Sequence, residues 1–298
     1  MTVQMSGRPA SPILVTGGTG TLGRHVVARL RETGCQVRIL SRRGRETGTH
    51  PREIGAGIEF ETGDLGTGEG VDAAVEGTEI VVHCAGSAGG GKGDDEMARR
   101  IVRAAARAGT RHLVFISVVG ADKVPMAGAV DRMLFGYFGA KLAAERIVAD
   151  SGLPWTTLRA TQFYDLVLMA ARQMARLPVI PVPTGFRFQP VDAGDVAGRL
   201  VELALGAPAG LVQAIAGPKV YGMGDLLRSY IGASHLRRLT VPVWLPGRAA
   251  SAVRAGAVIA PERAIGRVTW EEFLAARVDS PSDKTSGATL RPARSDAR

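Results

Sequence analysis

The stretch Ile13-Leu14-Val15-Thr16-Gly17-Gly18-Thr19-Gly20-Thr21-Leu22-Gly23 decides the fold of this chain. It opens with an apolar run that is too short for a helix and ends at two glycines, which is typical of a buried parallel strand. An amphipathic helix is expected next, and Gly34 is placed to end it. Val37-Arg38-Ile39-Leu40 is again mainly apolar and is expected to form a second strand. The pattern therefore predicts a strand–loop–helix–strand unit.

The glycines of the loop are spaced G-x-x-G-x-x-G, and each has its own task. Gly17 permits a tight turn, Gly20 lets a pyrophosphate approach the backbone, and Gly23 lets the helix pack closely on the strand. The amino terminus of the helix adds free N–H groups and a partial positive charge. Since the loop joins a strand to a helix, it predicts dinucleotide binding. The expected cofactor contacts are Gly17, Thr19, Gly20, Thr21, Leu22 and Gly23.

The second strand ends at Ser41-Arg42-Arg43, which bears on the choice of cofactor. Proteins that select NAD usually place an acidic residue here to bind the ribose hydroxyls. Two guanidinium groups instead match a 2′-phosphate. We therefore expect NADP(H), with Ser41, Arg42 and Arg43 as contacts. The alternative is that both arginines are ordinary surface residues.

Strand and helix patterns alternate along the rest of the first half of the chain. Strands are expected at 58–60, 80–84, 113–117 and 155–159, and helices at 97–108 and 132–150. This alternation predicts an α/β fold with a doubly wound parallel sheet, a Rossmann fold, followed by a small C-terminal substrate lobe. The expected units are a dinucleotide-binding core over 11–160, a substrate-covering lobe with late Rossmann elements over 161–278, and a disordered tail over 279–298. Asp192 or Asp195 is expected to cap a helix over 195–205.

The charge of the chain does not by itself indicate a nucleic-acid partner. The net charge is +9 over 298 residues, and the cations are mainly scattered arginines. The densest cluster is Arg99, Arg100, Arg103, Arg107 and Arg111. Most of it falls on one helical face, which is interpreted as solvated. Zinc-finger and RNA-binding motifs are absent from the sequence. We expect a small-molecule substrate, no nucleic-acid partner and a monomer or homodimer.

The sequence also bears on the cellular compartment and on metal binding. No apolar stretch is long enough to span a membrane, and no signal peptide opens the sequence. Cys35 and Cys84 lie in or beside apolar strands and do not indicate a disulfide framework. Metal-ligand spacing is lacking, so no metal is expected. These features favour a cytoplasmic protein that makes no use of a membrane.

Six motifs follow one another in order along the chain. They are Thr16-Gly17-x-x-Gly20-x-x-Gly23, Gly63-Asp64-Leu65, His83-Cys84-Ala85-Gly86, Ile116-Ser117-Val118-Val119-Gly120, Tyr137-Phe138-Gly139-Ala140-Lys141 and Leu158-Arg159-Ala160-Thr161-Gln162-Phe163. With these motifs the chain resembles the short-chain dehydrogenase/reductases over about residues 12–275. More narrowly, it resembles their atypical, NmrA-like NAD(P)-binding branch.

The resemblance implies further cofactor contacts. Asp64 would accept a hydrogen bond from the adenine amino group, with Leu65 beside it. Ala85 and Gly86 would lie against the adenosine ribose. Thr161 and Phe163 would line the nicotinamide. For Asp64 the alternative is a simple turn residue after a glycine.

Tyr137 and Lys141 are four residues apart, so a helix places them on one face. The resemblance implies that Tyr137 exchanges a proton with the substrate oxygen. It also implies that Lys141 lowers the pKa of Tyr137 and binds the nicotinamide ribose. The family's third catalytic residue is a serine or threonine, for which Ser117 is the candidate. If the position of this third catalytic residue corresponds to Val118 instead, the hydroxyl is absent.

Three functions are consistent with these residues. The first is an NADP(H)-dependent oxidoreductase acting on a small, fairly apolar carbonyl, alcohol or enone, with Tyr137, Lys141 and Ser117 as catalytic residues. The second is a non-catalytic redox sensor that binds NADP(H) and regulates a partner. The third is a nucleotide-sugar epimerase or dehydratase. The two arginines after the second strand argue against the third.

Overall fold

The computed structural model describes residues 11–42, 57–86, 91 and 93–278. Its central sheet consists of β1 (Ile13–Thr16), β2 (Val37–Ser41), β3 (Ile58–Thr62), β4 (Ile80–His83), β5 (His112–Val118), β6 (Trp155–Ala160) and β9 (Gly210–Leu211). All neighbouring strands pair in parallel, in the order β3-β2-β1-β4-β5-β6-β9. The order reverses between β1 and β4. That reversal opens a crevice at the carboxyl ends of these strands.

Helices cover both faces of this sheet. They are α1 (Gly23–Glu32), α2 (Val71–Val75), α3 (Asp94–Arg107), α4 (Ala129–Ala149) and α6 (Ala193–Leu205). The helices α5 (Tyr164–Met174), α7 (Met223–Ala233), α8 (Arg248–Arg254) and α9 (Trp270–Val278) belong to the later part of the chain. One apolar core joins the sheet to α1 and α6, and a second joins it to α2, α3 and α4. The doubly wound α/β fold expected from the sequence is confirmed. Among the described residues, no helix is long and apolar enough to span a membrane.

Several predicted elements begin earlier than their apolar pattern indicated. α3 begins at Asp94 because three acidic residues in its first turn interact favourably with the helix dipole. α6 begins at Ala193, and the Asp192 carboxylate accepts hydrogen bonds from the backbone N–H groups of residues 194 and 195. Asp192 is therefore the cap. Residues 43–56, which follow β2, lie outside the described residues, as does the expected tail.

The region after β6 forms two small sheets and an aromatic core. β7 (Val179–Pro183) pairs in parallel with β11 (Leu239–Val243), and β8 (Arg187–Phe188) pairs antiparallel with β10 (Tyr221–Gly222). Tyr164, Trp270 and Phe273 stack with ring centroids 5.1–5.8 Å apart. The Tyr164 hydroxyl donates to the Val268 carbonyl at 2.8 Å. α6 and β9 return the chain to the central sheet.

Candidate active site

The glycine loop forms a cradle that excludes side chains at two positions. Gly17 has a φ of +68°, and a Cβ there would lie 2.8 Å from the backbone of Ala85. A Cβ on Gly23 would lie 2.1 Å from the Gly17 carbonyl oxygen. Residues 19–21 are exposed at the tip, whereas Leu22 is buried in the core and anchors the loop. This cradle at a helix amino terminus fits the pyrophosphate of a dinucleotide.

The floor of the crevice, where β4 ends, holds two uncharged titratable side chains. His83 is buried, and its Nδ1 lies 2.7 Å from the Thr16 hydroxyl. Burial, helped by the Lys141 charge, lowers the pKa of His83 to about 3. Burial raises the pKa of the Cys84 thiol to about 12 against an opposing effect of Lys141. At neutral pH both side chains are therefore neutral. Cys35 and Cys84 are both free thiols.

Arg42 and Asp64 share the edge formed by the carboxyl ends of β2 and β3. The backbone N–H of Gly63 donates to the Ser41 carbonyl at 3.1 Å, which ties the two strand ends together. Arg42 is exposed there, and Arg43 lies outside the described residues. The Asp64 carboxylate accepts the Gly66 backbone N–H at 2.7 Å, so it also shapes its own turn.

α3 holds the loop that follows Asp64. Leu65 is buried, and Arg100 donates to its carbonyl at 2.7 Å and to that of Gly66. Arg100 belongs to the arginine cluster that the sequence analysis assigned to a solvated face. This member of the cluster instead supports the adenosine end of the expected cofactor site.

Lys141 is buried in an ion pair that sequence reasoning missed. Its Nζ lies 3.1 Å from Asp94 Oδ2, and the two side chains are 7% and 3% exposed. The same Nζ lies 5.3 Å from the Phe115 ring centroid and 5.9 Å from that of Tyr137. A Cβ on Gly86 would lie 3.7 Å from both charged atoms of the pair. The acidic run that begins α3 was the available signal for Asp94.

Tyr137 lies one turn before Lys141 and is half-buried. Its ring packs edge-on against Phe138 at 5.8 Å, and the backbone of Gly91 lies against it. Burial, and secondly the Asp94 charge, raise the pKa of Tyr137 to about 12. The family resemblance implied a lowered pKa, so this expectation is corrected. The physical reason is that desolvation and the nearby Asp94 carboxylate both disfavour the phenolate.

Ser117 lies on the same face of the sheet as the lysine. Side chains alternate along a strand, and Phe115 packs in the core beneath α4 while Ile116 packs in the opposite one. Ser117 therefore points to the α4 side and Val118 to the other side. The Ser117 hydroxyl is buried and has no hydrogen-bond partner within the described part of the chain. This geometry favours Ser117 over Val118 as the residue at the position of the family's serine or threonine.

An ion-pair network next to Ser117 fixes α4 to the sheet. Arg159 is the register partner of Ser117 in β6. Its guanidinium donates two hydrogen bonds, at 2.9 and 2.7 Å, to the Glu145 carboxylate and lies 2.9 Å from Asp122. Glu145 lies one turn after Lys141, so the network supports the helix that carries the Tyr137–Lys141 pair. Sequence reasoning missed this network.

The end of β6 contributes Thr161 and Phe163. Thr161 is buried, its backbone N–H donates to Ile215 at 3.1 Å, and its hydroxyl has no partner in the described ranges. Phe163 is half-buried and packs against the core beneath α1 and α6. The described candidate residues thus follow β1 to β6 at one edge of the sheet or flank it on α4. No group of side chains that could hold a metal occurs within the described ranges.

Comparison with known proteins gives one family and several relatives. Residues 17–204 match the model of a family described as NAD(P)H-binding. The chain is 32% identical over 209 residues to a (4-alkanoyl-5-oxo-2,5-dihydrofuran-3-yl)methyl phosphate reductase of Streptomyces griseus, covering 70% of this chain and 68% of that protein. It is 30% identical over 212 residues to a ceramide reductase of Caulobacter vibrioides, covering 67% and 63% respectively.

Solved structures share the fold at lower identity. An NADPH-dependent quinone oxidoreductase of Escherichia coli, complexed with NADPH, superimposes with a TM-score of 0.69 at 20% identity, covering 89% of this chain and 99% of that one. A triphenylmethane reductase of Citrobacter sp. gives 0.70 at 18% identity, covering 90% and 100%. A UDP-glucose 4-epimerase of Thermotoga maritima gives 0.69 at 20% identity, covering 90% and 97%. These similarities establish the fold alone.

Proposed function

We propose that this chain, which belongs to the NAD(P)H-binding family, is an NADPH-dependent reductase of a small, fairly apolar carbonyl or enone. The observation that carries the proposal is the arrangement at the carboxyl ends of β4 and β5. There the buried Lys141, Tyr137 one turn before it and the unpartnered Ser117 hydroxyl lie on one side of the sheet. A buried hydroxyl without a partner is costly, so it suits a ligand that supplies one.

Each residue has a role in the proposed reduction. The glycine loop and Lys141 would hold NADPH, which when bound would supply a hydride, with both of its electrons, to the substrate carbon. The π electrons of the C=O bond move onto its oxygen, and Tyr137 gives that oxygen the proton of its hydroxyl. Ser117 donates a hydrogen bond to the same oxygen. Lys141 orients the nicotinamide ribose.

The choice of NADPH over NADH rests on the end of β2. Arg42 is exposed beside Asp64, where an adenosine ribose would lie. A guanidinium there would pair with a 2′-phosphate, whereas the acidic residue that binds the free ribose hydroxyls is absent from residues 41–43. The same feature disfavours a nucleotide-sugar epimerase that keeps NAD bound.

The relatives support reductive chemistry on an apolar substrate. The two relatives described above are reductases, one named for an alkanoyl dihydrofuranone phosphate and the other for a ceramide. Both names denote molecules with an apolar chain. We therefore expect the best substrates of this chain to carry an alkyl chain next to the reduced bond.

The test is oxidation of NADPH by the purified protein across alkyl ketones, alkyl enones and quinones. Tyr137→Phe should lower kcat by roughly 100-fold or more, because general acid catalysis is worth about 10²–10⁴ in rate. Its affinity for NADPH should be unchanged. Tyr230→Phe, which removes a hydroxyl from the core of the C-terminal lobe, is the matched control and should keep full activity.

Two results would contradict the proposal. If Tyr137→Phe keeps full activity, Tyr137 is not the proton donor. If the wild-type protein binds NADPH tightly and oxidises it with none of these substrates, the redox-sensor function is favoured instead.

A further inference from the structure

The Asp94–Lys141 ion pair links two helices at the centre of the site. Asp94 begins α3 and Lys141 lies in the middle of α4, so neither helix alone can form it. The 3.1 Å contact is nearly closed to solvent, since each side chain is less than a tenth exposed. Removing one partner of such a pair leaves the other charge buried and uncompensated.

We propose that Asp94 is a positioning residue of the reaction. Its carboxylate holds the Lys141 ammonium beside the end of β4 and balances its charge, so that Tyr137 remains a neutral proton donor over the neutral and alkaline pH range. This inference rests on the proposed function of Tyr137. Sequence motifs and the family match do not assign a role to Asp94.

The groups around the ends of β4 and β5 that face the Asp94–Lys141 pair are uncharged, so Asp94 is the group that balances the charge of Lys141. His83 at the end of β4 and Cys84 directly after it face Lys141, and the burial described above keeps both neutral near pH 7. From β5, Phe115 and Ser117 carry no charge. The charge of Asp94 also reaches Tyr137 and raises the pKa of that side chain.

The consequence for proton transfer follows from the sign of these charges. An uncompensated ammonium about 6 Å from the ring would favour the phenolate and lower the pKa of Tyr137. A phenolate cannot donate a proton to the substrate oxygen. With the carboxylate present, its negative charge opposes the effect of the ammonium on the ring. Tyr137 therefore keeps the proton that reduction consumes.

The experiment titrates Tyr137 in the protein without substrate. Tyrosinate absorbance is followed against pH in the wild type and in Asp94→Asn. The same titration is run on each protein with Tyr137→Phe added, and subtracting it leaves the titration of Tyr137 alone. The matched control is Asp95→Asn, which removes the same charge one residue away, where the carboxylate pairs with Arg99 near the surface. Asp94→Asn should lower the midpoint by about one pH unit or more. Asp95→Asn should leave it unchanged.

A second comparison applies if Asp94→Asn is too unstable to titrate. Lys141→Met leaves the carboxylate unbalanced beside Tyr137, whereas Lys141→Met with Asp94→Asn removes both charges. The midpoint should be higher in the first variant than in the second. Equal midpoints in these two variants would overturn the proposal.

Activity gives the second readout and separates this inference from the proposed function. The alkaline fall of kcat for NADPH-dependent reduction should move to lower pH in Asp94→Asn together with the tyrosine midpoint. Equal midpoints in Asp94→Asn and wild type, in a protein that still reduces carbonyls, would overturn the role of Asp94 and leave the proposed function standing. A shifted midpoint in a protein that reduces nothing would support the charge balance and overturn the proposed function.

Discussion

The Thr16 hydroxyl lies 2.7 Å from Nδ1 of His83, and this contact joins the carboxyl ends of β1 and β4. These are the two strands between which the strand order reverses. The His83 ring also stacks on Phe115 with the centroids 5.5 Å apart. The floor of the candidate site therefore depends on a buried histidine that stays neutral.

His83 should make the fold sensitive to acid. Its pKa is about 3 in the folded protein and 6.5 in the unfolded chain, so the unfolded state binds the proton first as the pH falls. The contribution of neutral His83 to the free energy of unfolding is complete above pH 6.5 and is lost between 6.5 and about 3. The free energy of unfolding falls in this window by at most about 1.4 kcal/mol per pH unit. Urea unfolding across this window should show a shallower pH dependence in His83→Gln. Equal slopes in the two proteins would contradict the prediction.

Two glycines of the loop should respond differently to the same substitution. In Gly23→Ala the new Cβ would lie 2.1 Å from the Gly17 oxygen, so the loop must move and both stability and NADPH binding should be lost. In Gly20→Ala the Cβ would lie 3.2 Å from that oxygen at an exposed tip. The melting temperature should change little there, while the Kd for NADPH rises because the pyrophosphate cannot approach. Thermal unfolding and fluorescence titration separate the two effects, and equal losses in both variants would refute this distinction.

The sheet and its cofactor loop could be predicted because their signals are local. Buried parallel strands appear in the sequence as short apolar runs. The glycines of the loop are required by close contacts between residues that are near one another in the sequence. Tyr137 and Lys141 meet through a spacing of one helical turn. The role of Asp94 has no such local signal, since it depends on Lys141 in another helix. The Arg159 network depends in the same way on tertiary packing.

The C-terminal lobe was the least predictable region. β7 and β11 pair in parallel although nearly sixty residues separate them, and prolines occur in both strands. Neither strand shows a regular alternation of buried and exposed residues. The lobe was expected only as an unspecified substrate cover, because its strands are stabilised by packing that no local pattern reveals.

Arg42 should determine the preference for NADPH. Arg42→Ala would remove the proposed charge-assisted hydrogen bond to the 2′-phosphate, so the Kd for NADPH should rise by about 10-fold or more. The Kd for NADH should stay the same, and Arg42→Ala/Arg43→Ala should remove most of the remaining preference. Arg237→Ala, at an exposed arginine after α7, controls for net charge. Parallel changes in both Kd values would show that Arg42 acts only through overall charge.

Removing one partner of the Arg159–Glu145 pair should destabilise the fold more than removing both. Arg159→Met leaves the Glu145 carboxylate, whose side chain is 9% exposed, without its two hydrogen bonds, and should cost about 3–5 kcal/mol of unfolding free energy. Arg159→Met with Glu145→Leu should recover most of that loss, because no buried charge remains. Arg199→Ala, which breaks a surface pair with Glu202, should cost less than about 1 kcal/mol. Urea unfolding measures all three, and a double variant no more stable than Arg159→Met would show that the stabilisation lies in packing rather than in charge pairing.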